Sequence, residues 1–212
     1  MAWWFQRTPA PPTITDANGH LRIFDYAQHL GGKSTKHALL SYLPHAVAAG
    51  VRGEPTVRFS NEGIAREWPR VLNELGYSVD IVGWDDKTFV PTRNYDLIIL
   101  HGARTFANIY QPLSQKPPLI HFLTGTYWRF NNKEEEARLA SFAERHGVTV
   151  PKDRYIAVNE DPVNEAAKGI IILGNQRIRQ TFDKYPTVEV INNASYPDDH
   201  FIKTTKDYGE AR

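Results

Sequence analysis

Two short runs of this sequence consist entirely of large aliphatic residues. They are Leu-Ile-Ile-Leu at residues 97–100 and Ile-Ile-Ile-Leu at residues 170–173. A strand with one face in water alternates apolar and polar side chains, and neither run alternates. Both faces of each strand must therefore be covered, which is typical of a parallel sheet between two layers of helices. The runs predict an α/β chain in which these strands lie centrally.

From residue 36 onward, similar apolar runs alternate with segments of helical periodicity. The predicted strands cover residues 36–43, 77–83, 96–100, 118–123, 155–158, 169–173 and 188–191. This alternation predicts a Rossmann-like domain over residues 36–202, with a doubly wound, mainly parallel sheet and helices on both faces.

The two longest predicted helices have recognisable start and stop signals. The first begins at Asn61, and Pro69 is expected to bend it or to mark its true start. The second is predicted from Asn132, with the glutamates at residues 134–136 in a solvated first turn and Gly147 as its left-handed stop. Both helices are expected to cover the sheet.

Two shorter helices are predicted near the carboxyl terminus. Asp161 followed by Pro162 has the pattern of a cap and a first helical residue, and this helix is expected to run to residue 168. Asn175 is predicted to cap a helix over residues 176–185.

The two ends of the sequence differ from the domain between them. Residues 1–35 contain clustered prolines, an Asn-Gly pair and a Gly-Gly pair, and are predicted to be an irregular extension. Residues 203–212 are interpreted as the start of an interdomain linker, with a second domain absent from the sequence.

Composition excludes several classes of function. The net charge of +1 gives no general attraction to nucleic acid or to anionic membranes. The chain has no cysteine, which excludes disulfides and thiol chemistry, and its eight histidines show no zinc-helix spacing. No apolar run approaches the roughly 20 residues that span a bilayer. We expect a cytoplasmic protein without metal or cofactor.

Ligands of open parallel sheets bind at the carboxyl ends of the strands, where loops diverge and helices begin. His101 follows one of the aliphatic strands and is the best catalytic candidate. His121, inside a predicted strand, is interpreted as a hydrogen-bonded core residue. The other candidates follow strand ends: Gly50, Arg52, Gly53, Arg104, Gly125, Thr126, Tyr127, Trp128, Gly174, Asn175, Asn192 and Asn193.

Two of these groups have structural alternatives. Tyr127 and Trp128 could stack on a sugar, or could equally pack the next helix against the sheet. The glycine-rich stretch at residues 50–55 could bind a phosphate or an acceptor through its backbone donors, or be a plain connection.

Four stretches carry a resemblance to a known family. They are Ala-Ala-Lys-Gly-Ile-Ile-Ile-Leu-Gly-Asn at 166–175, Arg-Gln-Thr-Phe at 179–182, Val-Glu-Val-Ile-Asn-Asn-Ala at 188–194, and Leu-Thr-Gly-Thr-Tyr-Trp-Arg-Phe-Asn-Asn at 123–132. Together they resemble the amino-terminal, acceptor-side domain of retaining GT-B glycosyltransferases. The resemblance covers residues 36–201, about three quarters of the chain. The family more often has Pro-Asn-Gly where this sequence has Asn192-Asn193-Ala194.

The resemblance implies one half of a two-domain enzyme. A second domain would bind the nucleotide sugar, while this one would shape the pocket for a carbohydrate or other hydroxyl acceptor. The chain alone is then expected to be inactive, and a homodimer could cover its exposed apolar surface. The resemblance implies acceptor-binding roles for Gly50, Arg52, Gly53, Arg104, Gly125, Thr126, Tyr127 and Trp128, and interdomain-cleft roles for Gly174, Asn175, Asn192 and Asn193.

A rival signal lies at residues 27–34, Ala-Gln-His-Leu-Gly-Gly-Lys-Ser, which satisfy a relaxed phosphate-loop pattern. In that reading the backbone around Gly32 would cradle phosphates, Lys33 would contact the β and γ phosphates, and Ser34 would bind magnesium. No apolar strand ends in the required aspartate, so we expect the match to be accidental. A non-catalytic Rossmann-like interaction domain is the third alternative.

Overall fold

A computed structural model describes residues 13–30, 34–55 and 61–192 of the chain. These residues form one eight-stranded sheet with the order β1-β2-β4-β3-β5-β6-β7-β8. The six strands from β3 to β8 are parallel, and β1 and β2 are antiparallel additions at one side. The strands are β1 Thr13–Ala17, β2 His20–Phe24, β3 Lys36–Tyr42, β4 Tyr77–Gly83, β5 Leu97–His101, β6 Leu119–Leu123, β7 Gly169–Gly174 and β8 Val188–Asn192.

Seven helices connect or follow these strands in the described part of the chain. They are α1 Tyr26–His29, α2 Pro44–Val51, α3 Asn61–Glu74, α4 Phe106–Ile109, α5 Trp128–His146, α6 Asp161–Ala166 and α7 Gln176–Gln180. None of the described helices has the length and apolar character needed to cross a membrane.

Neighbouring residues of β3 point into different cores. Leu40 packs in a cluster with Ala48 of α2 and Leu72 of α3. Leu39 packs on the opposite face with Ile109 of α4. Each such fully buried leucine or isoleucine contributes about 1.5–3 kcal/mol relative to an exposed one. The two clusters confirm helices on both faces of a mainly parallel sheet, an α/β arrangement consistent with a Rossmann-like fold.

The segment at residues 13–24, predicted to be irregular, is a β-hairpin. Ala17 pairs with His20, which leaves Asn18 and Gly19 as a two-residue loop. Both loop residues have positive φ, 54° and 75°, as the tight turns of two-residue hairpins require. Asn-Gly is a strong hairpin signal between strands, and its meaning was missed because the clustered prolines precede it.

Three further expectations are corrected. Residues 155–158 form no strand, and the first two residues of the turn predicted at 50–55 belong instead to α2, which has Pro44 in its first turn. Helix α5 begins at Trp128, four residues earlier than predicted, so residues 134–136 are not its first turn. Helix α3 has residues on both sides of Pro69, which excludes Pro69 as its true start, and Gly147 ends α5 with φ 66° as expected.

The strand order creates a topological switch point between β3 and β5. From β3 the chain crosses to β4 on one side, and it then returns past β3 to β5 on the other. Connections leave in opposite directions here, which opens a crevice outside the carboxyl ends of the two strands. Because β3, β5, β6 and β7 are parallel, the ends after Leu43, Leu100, Leu123 and Leu173 lie at one edge of the sheet, as predicted.

Candidate functional site

His101 lies at the switch point, where it is the last residue of β5. Its ring centroid is 4.7 Å from that of Tyr42, the last residue of β3. Phe122 of β6 and Trp84, just after β4, approach the same imidazole with centroids at 5.6 and 6.2 Å. Four neighbouring parallel strands therefore each place one ring at the switch point, and His101, the predicted catalytic candidate, contacts the other three rings.

The hydrogen bond of His101 defines its chemistry. Its Nδ1 is 3.1 Å from the carbonyl oxygen of Phe122. A carbonyl only accepts, so Nδ1 carries the proton and Nε2 presents a lone pair. Burial lowers the pKa of His101 to about 4, while the contact with Phe122 opposes this weakly. The imidazole is neutral near pH 7, and Nε2 can accept a hydrogen bond or a proton.

Arg104 adds a cation to the same crevice. Its guanidinium lies 4.6 Å from the centroid of the Trp84 ring. Trp84 is held by its backbone N–H, which donates to the Tyr42 carbonyl at 2.9 Å. The loop that carries Arg104 is fixed through Thr105, whose hydroxyl is 3.0 Å from that of Ser41 in β3. The crevice thus combines a lone-pair acceptor, an indole ring and a multiple hydrogen-bond donor.

Gly102, directly after His101, turns the chain with φ 67° and lies beside two buried polar groups. A Cβ at this glycine would be 4.0 Å from Oε1 of Glu160. Glu160 is 6% exposed, and its Oε2 has no hydrogen-bond partner among the described residues. Burial, with a smaller effect from the charge of Asp161, raises the pKa of Glu160 to about 7. A carboxyl group poised near neutrality therefore lies next to the crevice.

His121 is the second buried histidine near Gly102. Its Nδ1 is 2.7 Å from Oδ1 of Asn164, and its Nε2 has no partner among the described residues. Burial lowers the pKa of His121 to about 4. The core interpretation of His121 is confirmed, since it is fully buried within β6.

The hydroxyl of Tyr42 is also buried without a partner in the described part of the chain. Burial raises the pKa of Tyr42 to about 12, so the hydroxyl stays protonated. Perturbed ionisable groups gathered at a strand-end crevice are a feature of binding and catalytic sites.

Tyr127 and Trp128 do not face the crevice as free aromatic surfaces. The Tyr127 hydroxyl donates to Oδ1 of Asp161 at 2.5 Å, and the Trp128 indole N–H donates to the same oxygen at 3.1 Å. Tyr127 is buried with Phe182 and the strands β7 and β8. The packing alternative is therefore the correct one for Tyr127, which ties the start of α5 to α6.

Asp161 is not the helix cap that its sequence context predicted. Glu160 occupies the cap position, and the Asp161 carboxylate instead accepts hydrogen bonds from distant side chains. Burial disfavours its charge, but the bonds from Tyr127, Arg129, Trp128 and Tyr185 outweigh this and hold its pKa well below the usual range. Asn175 does cap α7, accepting from the backbone N–H groups of residues 177 and 178.

The remaining candidates fall into three groups. Gly125 and Thr126 follow β6 at the same edge as His101, and Gly174 ends β7 there, where a Cβ would lie 2.5 Å from Ile178. Gly50 lies within α2 against Arg66, whereas residues 52–55 form a turn after the helix, in which Arg52 pairs with Glu54 at 2.5 Å. Asn192 is the last residue of β8, and Asn193 lies outside the described residues.

Ser34 lies at the opposite edge of the sheet, before β3. Its hydroxyl donates to the carbonyl of Gly76, just before β4, and accepts from the backbone N–H of Lys36. A strand follows it, whereas a phosphate loop must lead into a helix. Residues 31–33, including Gly32 and Lys33, lie outside the described residues.

Two other features of the described residues bear on where a ligand could bind. No group of three or more potential metal ligands occurs among them. A cleft of about 280 Å³ opens at the amino ends of β5 and β6, lined by residues that include Tyr95, Leu113 and Pro118. It lies at the edge away from His101.

Two members of the crevice were not singled out from the sequence: Tyr42 and Trp84. Both are at strand ends, so the strand-end rule could have found them. The burial of Glu160 depends on how α6 packs against β6, and no local pattern displays that contact.

No protein-family model, curated protein or solved structure significantly matches this chain.

Proposed function

We propose that this chain is the acceptor-side domain of a GT-B type glycosyltransferase, with His101 at its acceptor pocket. The observation that carries the proposal is the placement of His101 at the switch point, with Nε2 as its unprotonated nitrogen, beside Trp84 and near Arg104. The resemblance of four sequence stretches to that family supplies the reaction class.

The crevice chemistry suits a sugar hydroxyl. A neutral imidazole nitrogen accepts a hydrogen bond from a hydroxyl group and can take its proton during transfer. The Arg104 guanidinium donates to ring or hydroxyl oxygens, and the indole of Trp84 offers an apolar surface for the carbon face of a pyranose. In the family that the sequence resembles, the nucleotide sugar is held by a facing domain, and we propose the same division here. Positioning the acceptor then becomes the main role of this domain.

Nuclear magnetic resonance of the ¹⁵N-labelled chain tests this proposal. Methyl glycosides of glucose, mannose and galactose are the probes, titrated in turn. We expect at least one of them to shift the Trp84 indole and the Gly102 amide. The His101→Ala variant should lose the effect, and His146→Ala, which changes an exposed histidine at the far end of α5, should keep it.

Two results would overturn the proposal. If no glycoside shifts the switch-point signals of a folded chain, the non-catalytic interaction domain becomes the better interpretation. If Mg-ATP binds and Lys33→Ala abolishes that binding, the phosphate-loop alternative replaces ours, despite the position of Ser34 before a strand.

A further inference from the structure

The Asp161 carboxylate is paired with two cations at once. Nη2 of Arg129 lies 2.8 Å from Oδ2, and Nζ of Lys184 lies 3.2 Å from Oδ1. One negative charge thus faces two positive charges, so the group carries a net charge of about +1 before any ligand binds. The carboxylate is buried, whereas the side chains of Arg129 and Lys184 are 59% and 49% exposed.

Aromatic rings hold both cations in place. The Arg129 guanidinium lies 4.5 Å from the centroid of Trp128, and the Lys184 ammonium lies 5.1 Å from Tyr127 and 4.8 Å from Tyr185. Long charged side chains on a protein surface normally sample many rotamers, and ordering them opposes binding. Here the rings and the carboxylate have already ordered them.

A hydrogen-bond donor remains available on Arg129, and the Lys184 ammonium is accessible from solvent. Arg129 uses Nε and Nη2 toward Tyr127 and Asp161, and its Nη1 has no partner among the described residues. The Lys184 ammonium has three N–H donors, which face Asp161, Tyr127 and Tyr185. An anion could therefore accept from Nη1 of Arg129 without breaking the contacts of Arg129 to Asp161, and from the half-exposed Lys184 ammonium in place of a tyrosine hydroxyl.

The group lies at the same edge of the sheet as His101. Tyr127 follows the loop after β6, and Lys184 follows α7, which itself follows β7. The backbone N–H of Tyr127 donates to the hydroxyl of Thr181 at 2.9 Å, which joins the two connections. Ligands of this fold class approach this edge.

We propose that Arg129 and Lys184 bind a phosphate monoester group, so that the acceptor is a phosphorylated sugar. The terminal oxygens of a monoester point in three directions and can accept from a guanidinium and an ammonium together, whereas the two oxygens of a carboxylate lie in one plane. The phosphate site stands on its own contacts, and the sugar part of the assignment rests on the proposed function.

Calorimetric titration at low ionic strength tests the phosphate site, with inorganic phosphate and glucose 6-phosphate as probes. We expect both to bind, and Arg129→Gln and Lys184→Gln each to weaken binding by at least about tenfold, since each removes a charge-assisted contact. Lys133→Gln removes the same charge from an exposed position on α5 and should leave the affinity within about twofold. Arg129→Lys keeps the positive charge but loses the planar guanidinium, so its affinity for phosphate should lie between those of the wild type and Arg129→Gln.

The outcomes separate the two proposals. An equal loss in Lys133→Gln, or no binding of inorganic phosphate by chains whose near-ultraviolet circular dichroism is native, would overturn the phosphate site. Phosphate binding without any response of Trp84 and Gly102 to glucose 6-phosphate would keep the site and remove the sugar assignment. Binding of glucose 6-phosphate more tightly than inorganic phosphate, with loss of that difference in His101→Ala, would support both.

Discussion

The imidazole of His101 lies against the phenol ring of Tyr42, with ring centroids 4.7 Å apart and planes inclined by 57°. The two residues end neighbouring parallel strands, where Ser41 pairs with Leu100 one residue earlier. Trp68 of α3 and Phe122 of β6 form a further edge-to-face pair with centroids 5.1 Å apart. His101 is thus fixed by packing as well as by its bond to the Phe122 carbonyl.

The tautomer of His101 is a first testable consequence. We expect the neutral ring to be protonated at Nδ1, because that atom donates to the Phe122 carbonyl. Long-range ¹⁵N–¹H correlation spectra distinguish the two ring nitrogens directly. An imidazole protonated at Nε2 near neutral pH would contradict the assignment of Nε2 as the acceptor.

Acid should destabilise the chain through its two buried histidines. The pKa values of His101 and His121 are lowered from 6.5 to about 4, so the unfolded state binds more protons between these values. The free energy of unfolding must then fall as the pH drops from 6.5 to 4, by about 3 kcal/mol for each histidine. Urea unfolding across this range measures the slope.

A matched pair of variants tests whether His121 causes this pH dependence of the free energy of unfolding. His121→Gln keeps a donor for Asn164 and should flatten the dependence, while His45→Gln, on the surface of α2, should leave it unchanged. Identical slopes in the two variants would show that His121 is already protonated or accessible to solvent.

Glu160 should affect stability in the opposite direction. Its pKa is raised from 4.5 to about 7, so its stabilising contribution is complete below pH 4.5 and is lost as the pH rises through 7. Glu160→Gln should therefore be more stable than the wild type above pH 7, by about 3 kcal/mol, and equally stable in acid. The histidine contributions are common to both chains and cancel in their difference, so the stability gain of Glu160→Gln over the wild type should grow between about pH 4.5 and 7.

Glu165→Gln serves as the control for Glu160→Gln. Glu165 is exposed on the same helix, α6, and its substitution should not change the pH dependence. A stability difference between Glu160→Gln and the wild type that stays constant from about pH 4.5 to 7 would refute the assignment of that titration to Glu160.

Asp161→Asn should be strongly destabilising. The carboxylate accepts hydrogen bonds from Tyr127, Tyr185 and two cations, and an asparagine would turn an amide N–H₂ toward some of these donors. We expect a loss of about 2–4 kcal/mol in the free energy of unfolding. Asp153→Asn, at a 71% exposed partner of Arg138, should cost less than about 1 kcal/mol. Similar losses in the two variants would mean that the Asp161 contacts contribute little.

Local patterns in the sequence were sufficient for the central sheet. The aliphatic runs at 97–100 and 170–173 are β5 and β7, each with a strand on both sides. Once the strands are parallel, their carboxyl ends must share an edge, and this is why His101 and Arg104 could be selected before any coordinates. Asn175 could also be predicted as a helix cap, because capping is a local interaction between neighbouring residues.

The errors concern residues whose partners are distant in sequence. Asp161 has the local pattern of a cap, but Tyr127 and Tyr185 reach it from 34 and 24 residues away. The helix α5 begins early because Trp128 and Arg129 are directed to Asp161. Tertiary contacts of this kind override local preference, and a single sequence does not display them.

The amino-terminal hairpin, formed by β1 and β2, lies beside β4 and determines which strand is at this edge of the sheet. Without β1 and β2, the edge would be β4, whose residues from Ser78 to Gly83 are buried and mostly apolar. The unpaired backbone of such a strand is a template for β-sheet addition by another polypeptide. Instead the outermost strand among the described residues is β1, five residues long with the sequence Thr-Ile-Thr-Asp-Ala. The hairpin pairs with β4 at Ile23 and Ile81 and so shields the middle of that strand, and chains shortened past residue 24 would expose β4 to intermolecular strand pairing.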